Sequence, residues 1–507
     1  MKKIWYSNYE SIKGPLVMYL IAMILLAIPN IFSSTNEIVA TILVAFKYAG
    51  GLIKTLFPIF VIINIIGKRH EDSVPVLGAV TSYVLLHLVT MFLARQDFDS
   101  CYYTSLGTGL LNGIQGNNRR PINMGLFASL VIIFIVILTY KLSRQRFNYG
   151  ILTFIDNDSW FLIICSLVTI AVGVVISLVF PYAVNLLKTI MNFISRNSAN
   201  PAALYVYGLT ERILELFGLE DILHNGFWIG GYGGNWLDNT GTLYVGDVAV
   251  WTAQMTKGMV EVGVGQYITP YYIINMFICP ALIIGIYCQY SSKIERRRLL
   301  GLSIIAIAIS MTSSSLVPLQ ILLLFISPLL LFIHILLSSS LYMLFSILEI
   351  YLGYFYSDAL AFAIPGTIVE FVKMAGLLGD QSLKRVLMIG GGYFVVYFIF
   401  VWLYYGVLAQ DFLDKVNGNL NVKELIRALG GITNLRIADG SPVSMSVAVN
   451  DTTRIKAKPL LDLGAYKVTE SFFYHRIYFG PGSVKLARKL RKEIKEFNGI
   501  RKYIETK

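Results

Sequence analysis

Apolar runs of about twenty residues recur along this chain and constrain its fold more than any other feature. A helix of that length crosses ~30 Å of hydrocarbon. Lipid tolerates only elements that satisfy their own backbone hydrogen bonds. Such runs stand at 14–33, 45–67, 74–94, 125–140, 160–185, 270–290, 299–311, 319–350 and 385–409. The run at 319–350 is too long for one crossing and carries Pro328, so it reads as a hairpin or as a span plus a re-entrant piece. About eight to ten crossings are expected. Composition agrees, with 56% hydrophobic and 14% charged residues, where a soluble domain carries roughly 25% charged. The first run is long, lacks a small-residue cleavage site and is followed by further spans, so it reads as a span and not as a cleaved signal.

Lys and Arg in the short loops set the expected orientation. Basic loops occur at Lys2, Lys3 and Lys13, at Lys68 and Arg69, from Lys141 to Arg146, and from Lys293 to Arg298. They alternate in a way that places both termini in the cytoplasm. Arg119 and Arg120 break the pattern. They belong on the far side or in a segment folded back into the bundle. The four cysteines, Cys101, Cys165, Cys279 and Cys288, are scattered and form no CxxC pair. They read as packing residues, with no disulfide framework and no metal site.

The composition changes after residue 410. Residues 411–507 hold 18 Lys and Arg against 10 Asp and Glu, and no run there is long enough to span. The expected division is a membrane domain at 1–410, a linker at 411–420 and a small soluble domain at 421–507. The tail reads as helix 422–429, a Gly-Gly turn, strands 433–438 and 443–449, helix 458–463, strand 472–479 and a last helix from Ser483. Val484, Leu486, Ala487, Leu490 and Ile494 fall on one face of that helix. The fold class is therefore an α-helical polytopic membrane protein with a C-terminal α+β domain. The positive tail suits anionic lipid. Nucleic acid is the alternative partner for such charge, and a solvated helix face near anionic lipid is the expected reading.

The tail contains Leu425-Ile-Arg-Ala-Leu-Gly-Gly431, Ile437-Ala-Asp-Gly-Ser-Pro-Val-Ser-Met-Ser-Val-Ala-Val-Asn-Asp451 and Ile477-Tyr-Phe-Gly-Pro-Gly-Ser483. In order and spacing these resemble the IIB domain of the glucose family of the phosphoenolpyruvate-dependent sugar phosphotransferase system. The membrane part resembles the matching IIC permease. Phe217-Gly-Leu-Glu-Asp-Ile-Leu-His-Asn-Gly-Phe-Trp228 stands where that family has Phe-Gly-Leu-His-His-Ile-x-x-x-Pro-Phe-Trp. Pro318, Pro328 and His334 repeat the spacing of its Thr-Glu-Pro-Ile-Glu-Phe stretch, later Pro and His. Leu56-Phe-Pro-Ile-Phe60 is similar to its Leu-Pro-x-x-Phe. The resemblance implies a sugar permease in a bacterial inner membrane, with a homodimer as the default assembly, phosphocarrier proteins as partners and no cofactor.

The chain departs from that family at the residues that do its chemistry. Ser441 occupies the phosphocysteine position, and Ser444 and Ser446 stand where two arginines would hold a phosphoryl group. A serine hydroxyl is protonated near neutrality, whereas a thiolate is the better nucleophile. No catalytic residue is therefore assigned. The family's first sugar-site glutamate becomes Val317, its second becomes Gln320, and its His-His pair becomes Glu220-Asp221. The candidate solute-binding set is Glu220, Asp221, His224, Asn225, Gln320 and His334, since polar groups at membrane depth are expensive to keep. The competing reading puts Glu220 and Asp221 in a wet interfacial loop, because 190–270 is polar and Gly-rich. Packing is the competing reading for His334 and the expected one for His87. Gly230-Gly-Tyr-Gly-Gly-Asn-Trp236 lacks the following lysine of a phosphate loop and reads as a flexible loop. Two function classes remain: a sugar permease that has lost phosphorylation, and a non-transporting membrane sensor or partner-binding scaffold.

Overall fold

A computed structural model of the protein describes residues 2–32, 36–70, 72–95, 98, 101–102, 120–143, 156–313, 315–353, 366–375, 380–408, 422–471 and 474–505. The linker at 411–420, Arg119, and Arg144 and Arg146 of the third basic loop lie outside the described residues.

The protein is a multi-pass membrane protein. Among the described residues, eight helical segments are long and apolar enough to cross a bilayer. They fall in or along α1 (Lys2–Ile31), α2 (Glu37–Arg69), α3 (Val74–Leu93), α4 (Gly125–Ser143), α5 (Asn157–Arg196), α9 (Thr269–Cys288), α12 (Pro328–Ile347) and α14 (Asp380–Leu403). Many of their large apolar side chains face outward, among them Leu167, Leu178, Leu130 and Phe134. Such surface is stable against lipid and costly against water.

The long run at 319–350 is broken as its sequence suggests. α11 (Val317–Ile326) ends at Ser327, whose extended backbone and side-chain oxygen cap the first turn of α12. Pro328 then occupies the first helical position, where its missing N–H is harmless. The run at 299–311 lies in α10 (Lys293–Ser313) but is not one of the eight. The arginines at 296–298 occupy its start and shorten the apolar stretch.

α1 packs along α2, and α3 along α5. The core of α2 to α5 around Ile132 is distinct from the large core around Tyr207, Tyr271 and Leu341, while α1 and α2 share a further core with Ile309 of α10 and with Val317 and Ile321 of α11. α6 (Pro201–Leu216) contributes Leu204 and Tyr207 to the large core and lies along α12. Gly208 permits that approach. A Cβ there would stand 2.4 Å from the Tyr342 ring and 3.1 Å from Ser339 Cα.

The stretch after α6 is ordered. The short α7 (Asp221–His224) runs on into a wider π-helical turn, Asn225–Ile229. A hairpin follows, β1 (Asn235–Leu237) against β2 (Leu243–Val245), and leads to α8 (Asp247–Thr256). Two of the glycines expected to make a flexible loop, Gly230 and Gly233, serve close packing. A Cβ on Gly233 would lie 1.7 Å from the Phe227 carbonyl oxygen.

The tail is a small α+β unit. Its sheet has four antiparallel strands in the order β3 (Leu435–Gly440), β4 (Met445–Val449), β6 (Tyr474–Tyr478), β5 (Lys467–Ser471). Met445, Val447 and Val449 alternate into the core, the period of a half-buried strand. Helices α15 (Val422–Ala428), α16 (Ala457–Asp462) and α17 (Ser483–Glu505) cover it with Leu425, Leu460, Ala487 and Leu490. Strand β5 is an addition to the sequence reading. It is an edge strand whose one clear apolar residue, Val468, is half-buried, so its pattern is faint. Residues 472–473 of the expected strand lie outside the described residues.

Candidate functional site

α6 is largely apolar but carries Glu211, Arg212 and Glu215, all buried. Glu211 and Glu215 are one helical turn apart, with Arg212 reaching both. Arg212 Nη2 donates to Glu211 Oε2 at 3.0 Å, and Nη1 lies 2.7 Å from Glu215 Oε2. The guanidinium also sits over the Tyr271 ring at 5.1 Å, a favourable cation–π position.

Glu211 is the hub of the cluster. Tyr271 Oη donates to its Oε1 at 2.5 Å, and His224 Nε2 lies 2.9 Å from the same oxygen. Tyr342 donates to Oε2. Tyr207 reaches Oε1 at 3.5 Å and itself accepts from Trp228 Nε1 at 3.2 Å. His224 stacks on the Trp228 ring, with centroids 3.6 Å apart and planes 10° from parallel. A carboxylate holding this many donors is satisfied and positions its neighbours.

Glu215 is different. It accepts from Gln320 Nε2 at 2.6 Å and from the Leu316 backbone N–H at 3.3 Å. Both donors come from the start of α11, so this carboxylate ties α6 to the helix that precedes the Ser327 break. A few residues on, Glu220 is 2% exposed and meets Lys54 Nζ of α2 at 3.5 Å. Burial pushes the Glu220 carboxyl up from the ordinary carboxylate range, against the pull of Lys54 and with repulsion from Asp221. Tyr19 of α1 bonds Ser315 at 3.0 Å beside the same group. The cluster therefore joins α1 and α2 to α6, α7 and the start of α11.

The sequence-derived candidates separate as follows. Glu220, His224 and Gln320 belong to the bridging cluster. Asp221 adjoins it, but its side chain is 52% exposed, with His224 Nδ1 at 3.9 Å. Asn225 is half-buried in the π turn. His334 is 1% exposed and bonds Tyr397 Oη through Nδ1 at 3.2 Å. His87 bonds the Tyr83 carbonyl within its own helix at 2.8 Å. Sequence reasoning passed over Glu211, Arg212, Glu215 and Lys54. The signal was present: three charges within five residues of an apolar helix, and a lysine inside an apolar run.

Three buried acceptors or ambivalent atoms near the cluster have no hydrogen-bond partner: Glu220 Oε2, Gln320 Oε1 and His334 Nε2. Arg212 Nε is a donor in the same position. No group of three metal-binding side chains occurs among the described residues.

The serine turn of the tail is a second sequence candidate. Ser441 is 5% exposed, and its Oγ donates to the Ser444 carbonyl at 2.9 Å and accepts from the Ser444 N–H at 3.1 Å. The turn is closed upon itself and faces the membrane helices. Ser291 N donates to Gly440 O at 2.9 Å. Val443 packs with Ile326 at the end of α11. Arg476 pairs with Glu295, and Arg488 donates to Gln289 at 3.2 Å. The tail thus sits on the 289–296 segment and beside the Ser327 break.

Compared with known protein families, the chain matches no family profile.

Proposed function

We propose that this protein is a transmembrane carbohydrate permease related to the IIC–IIB sugar phosphotransferase permeases, working without phosphoryl transfer. The observation that carries the reading is the buried polar cluster shared by α2, α6, α7 and α11, with polar atoms left unsatisfied. Leaving such an atom unpaired costs about 1–3 kcal/mol, and a polyhydroxylated solute supplies the missing partners.

The loss of phosphotransfer rests on the Ser441 turn. Its hydroxyl is engaged by Ser444, and no cation stands at 444 or 446. The motif resemblance and the tail's four-stranded architecture support descent from a IIB domain. In this reading the protein lies in a bacterial inner membrane as a homodimer, with both termini cytoplasmic and phosphocarrier partners dispensable. Reporter fusions after Lys3, Arg298 and Thr506 should all mark the cytoplasm.

The second reading, a membrane sensor, is favoured by one observation. The tail touches the membrane part beside the Ser327 break, where movement of α11 relative to α12 would be felt. Uptake and binding by the reconstituted protein across a sugar panel, with and without phosphoryl donors, separates the two. Uptake independent of donors supports the permease. Binding without uptake supports the sensor.

A further inference from the structure

The tail has a core of its own and is nonetheless seated in the membrane part. That core contains tail residues only, among them Leu425, Met445, Ile477 and Leu490. Val443, Tyr466 and Val484 lie outside it. Val443 and Tyr466 pack instead with Leu322 and Ile326 at the end of α11. Val484, fully buried in the first turn of α17, joins the large core of the membrane helices. A unit with its own core can leave its seat without unfolding. A contact of a few apolar side chains with a polar rim is the kind that domains make and break.

Three separate chain segments form the seat. In the 289–296 segment, Ser291 donates its N–H to the Gly440 carbonyl at 2.9 Å, Gln289 accepts from Arg488 at 3.2 Å, and Glu295 pairs with Arg476. The end of α11 supplies the apolar patch. The π-helical turn Tyr404–Leu408, which continues α14, lies against α17. Tyr404 Oη also bonds Ser327 Oγ, so the turn is tied to the break between α11 and α12. Ser327 is extended between two helices, a place where a change of backbone angle moves one helix against the other. With the tail seated, Leu323, Ser327 and Tyr405 are fully buried, and Ile326 nearly so.

We propose that the seated tail is an autoinhibitory clamp. It holds the end of α11, the Ser327 break and the turn after α14 in one closed arrangement. Its release frees α11 to move about Ser327 and opens the interior at Leu323 to water. A side chain that holds the seat, such as Val443, is also part of the surface that the Ser441 turn would present once free. Any ligand of that surface binds only the released tail and so shifts the protein toward the open form. The clamp serves a permease and a sensor alike. In the first it bars the path on the tail's side, and in the second it is the contact that is made and broken.

The test uses the full chain in detergent with the exposed Cys288 replaced by Ser, and a bulky water-soluble maleimide as the probe. Leu323→Cys is added as the reporter. Cys101, Cys165 and Cys279 are buried and report any general loosening of the fold. Val443→Asp and Tyr466→Asp are two independent ways to unseat the tail, and neither touches its own core. Seating is read separately by disulfide formation between Gln289→Cys and Arg488→Cys. With the tail seated, Leu323→Cys should react slowly. Either unseating variant should speed its labelling about tenfold or more, the signature of a shift toward the open form, while the three native cysteines stay slow. Slow labelling of Leu323→Cys in a variant whose cross-link is lost would overturn the clamp. So would equal labelling of all the buried cysteines, which would make the tail a support of the whole fold. A cross-link that persists in both variants would overturn it too, because these side chains would then not hold the seat.

Discussion

Gln320 Nε2 donates to Glu215 Oε2 at 2.6 Å, joining the first turn of α11 to a carboxylate buried in α6. The second donor to this carboxylate, the Leu316 N–H, comes from the same chain segment. The bond is inaccessible to water, since both side chains are almost wholly buried. Replacing Gln320 by Leu keeps most of the volume and removes the donor. The cost is the desolvation of a carboxylate oxygen left short of a partner, about 1–3 kcal/mol. Gln320→Leu should lower the thermal unfolding midpoint by several degrees in detergent. Adding Glu215→Gln should recover part of that loss, because an amide is cheaper than a carboxylate to leave unpaired. Additive losses in the double variant would show that the two residues do not act as a pair.

The contact between the tail and the 289–296 segment combines polar and apolar parts. The Arg476–Glu295 pair is partly exposed, 31% and 18%, and such pairs contribute at most about 1 kcal/mol. Arg476→Ala alone should therefore leave the tail docked. Val443→Asp places an unpaired charge against Ile326 and should release it. A Gln289→Cys, Arg488→Cys pair reads the outcome, because these side chains touch in the docked state. Oxidative cross-linking should persist with Arg476→Ala and fail with Val443→Asp. Cross-linking that survives Val443→Asp would mean that the apolar contact does not hold the tail.

Asp247 gives a pH dependence of known sign. It opens α8 in the loop region, with one oxygen accepting from the Gly265 N–H at 2.7 Å and the other unpartnered. Burial pushes its carboxyl up to about 7, against the backbone hydrogen bonds that favour ionisation. A carboxyl whose value is higher folded than unfolded holds its proton more tightly in the folded state. Its contribution is complete below the unfolded value of about 4 and is lost as pH rises toward 7. The unfolding midpoint should fall across that window more steeply for the parent than for Asp247→Asn. The amide keeps the bond to Gly265 and has no charge to bury. Parallel pH profiles would show that Asp247 ionises freely in the folded protein.

Long-period signals were legible in the sequence, and contacts between remote segments were not. The apolar runs mark the spans because lipid demands about twenty residues from each of them. The break at Ser327 was visible through Pro328. The edge strand Lys467–Ser471 was not, because one side of it faces solvent and only Val468 marks its inner face. In the site, Glu220, His224 and Gln320 stood out as polar residues at marked positions. Glu211 did not, although it gathers the most donors. Its partners Tyr271 and Tyr342 come from helices 60 and 131 residues away. No local pattern encodes that meeting. The charges of Glu211, Arg212 and Glu215 in one apolar helix were the only local sign of it.

The Ser441 turn yields the prediction with the sharpest chemical content. Transfer to this residue would need a nucleophile, a base or lowered pKa to activate it, and cations to hold the phosphoryl oxygens. Ser441 Oγ is instead committed to Ser444, as donor to its carbonyl and acceptor from its N–H. Val443 lies against Ile326, and Gly440 O is held by Ser291, so the turn is covered by the membrane part. The protein incubated with phosphoryl donor proteins and labelled phosphoenolpyruvate should stay unlabelled. Ser441→Cys should stay unlabelled too, because a thiol restores the nucleophile but neither the opening nor the arginines that Ser444 and Ser446 replace. Ser441→Ala should cost about 1 kcal/mol of stability by stripping the Ser444 N–H of its acceptor, and should leave solute binding intact. Stoichiometric labelling of the parent at Ser441 would mean that the turn opens and that a base reaches it from elsewhere. In that event the protein would be a phosphotransferase with a serine acceptor, and uptake should become dependent on the donor proteins.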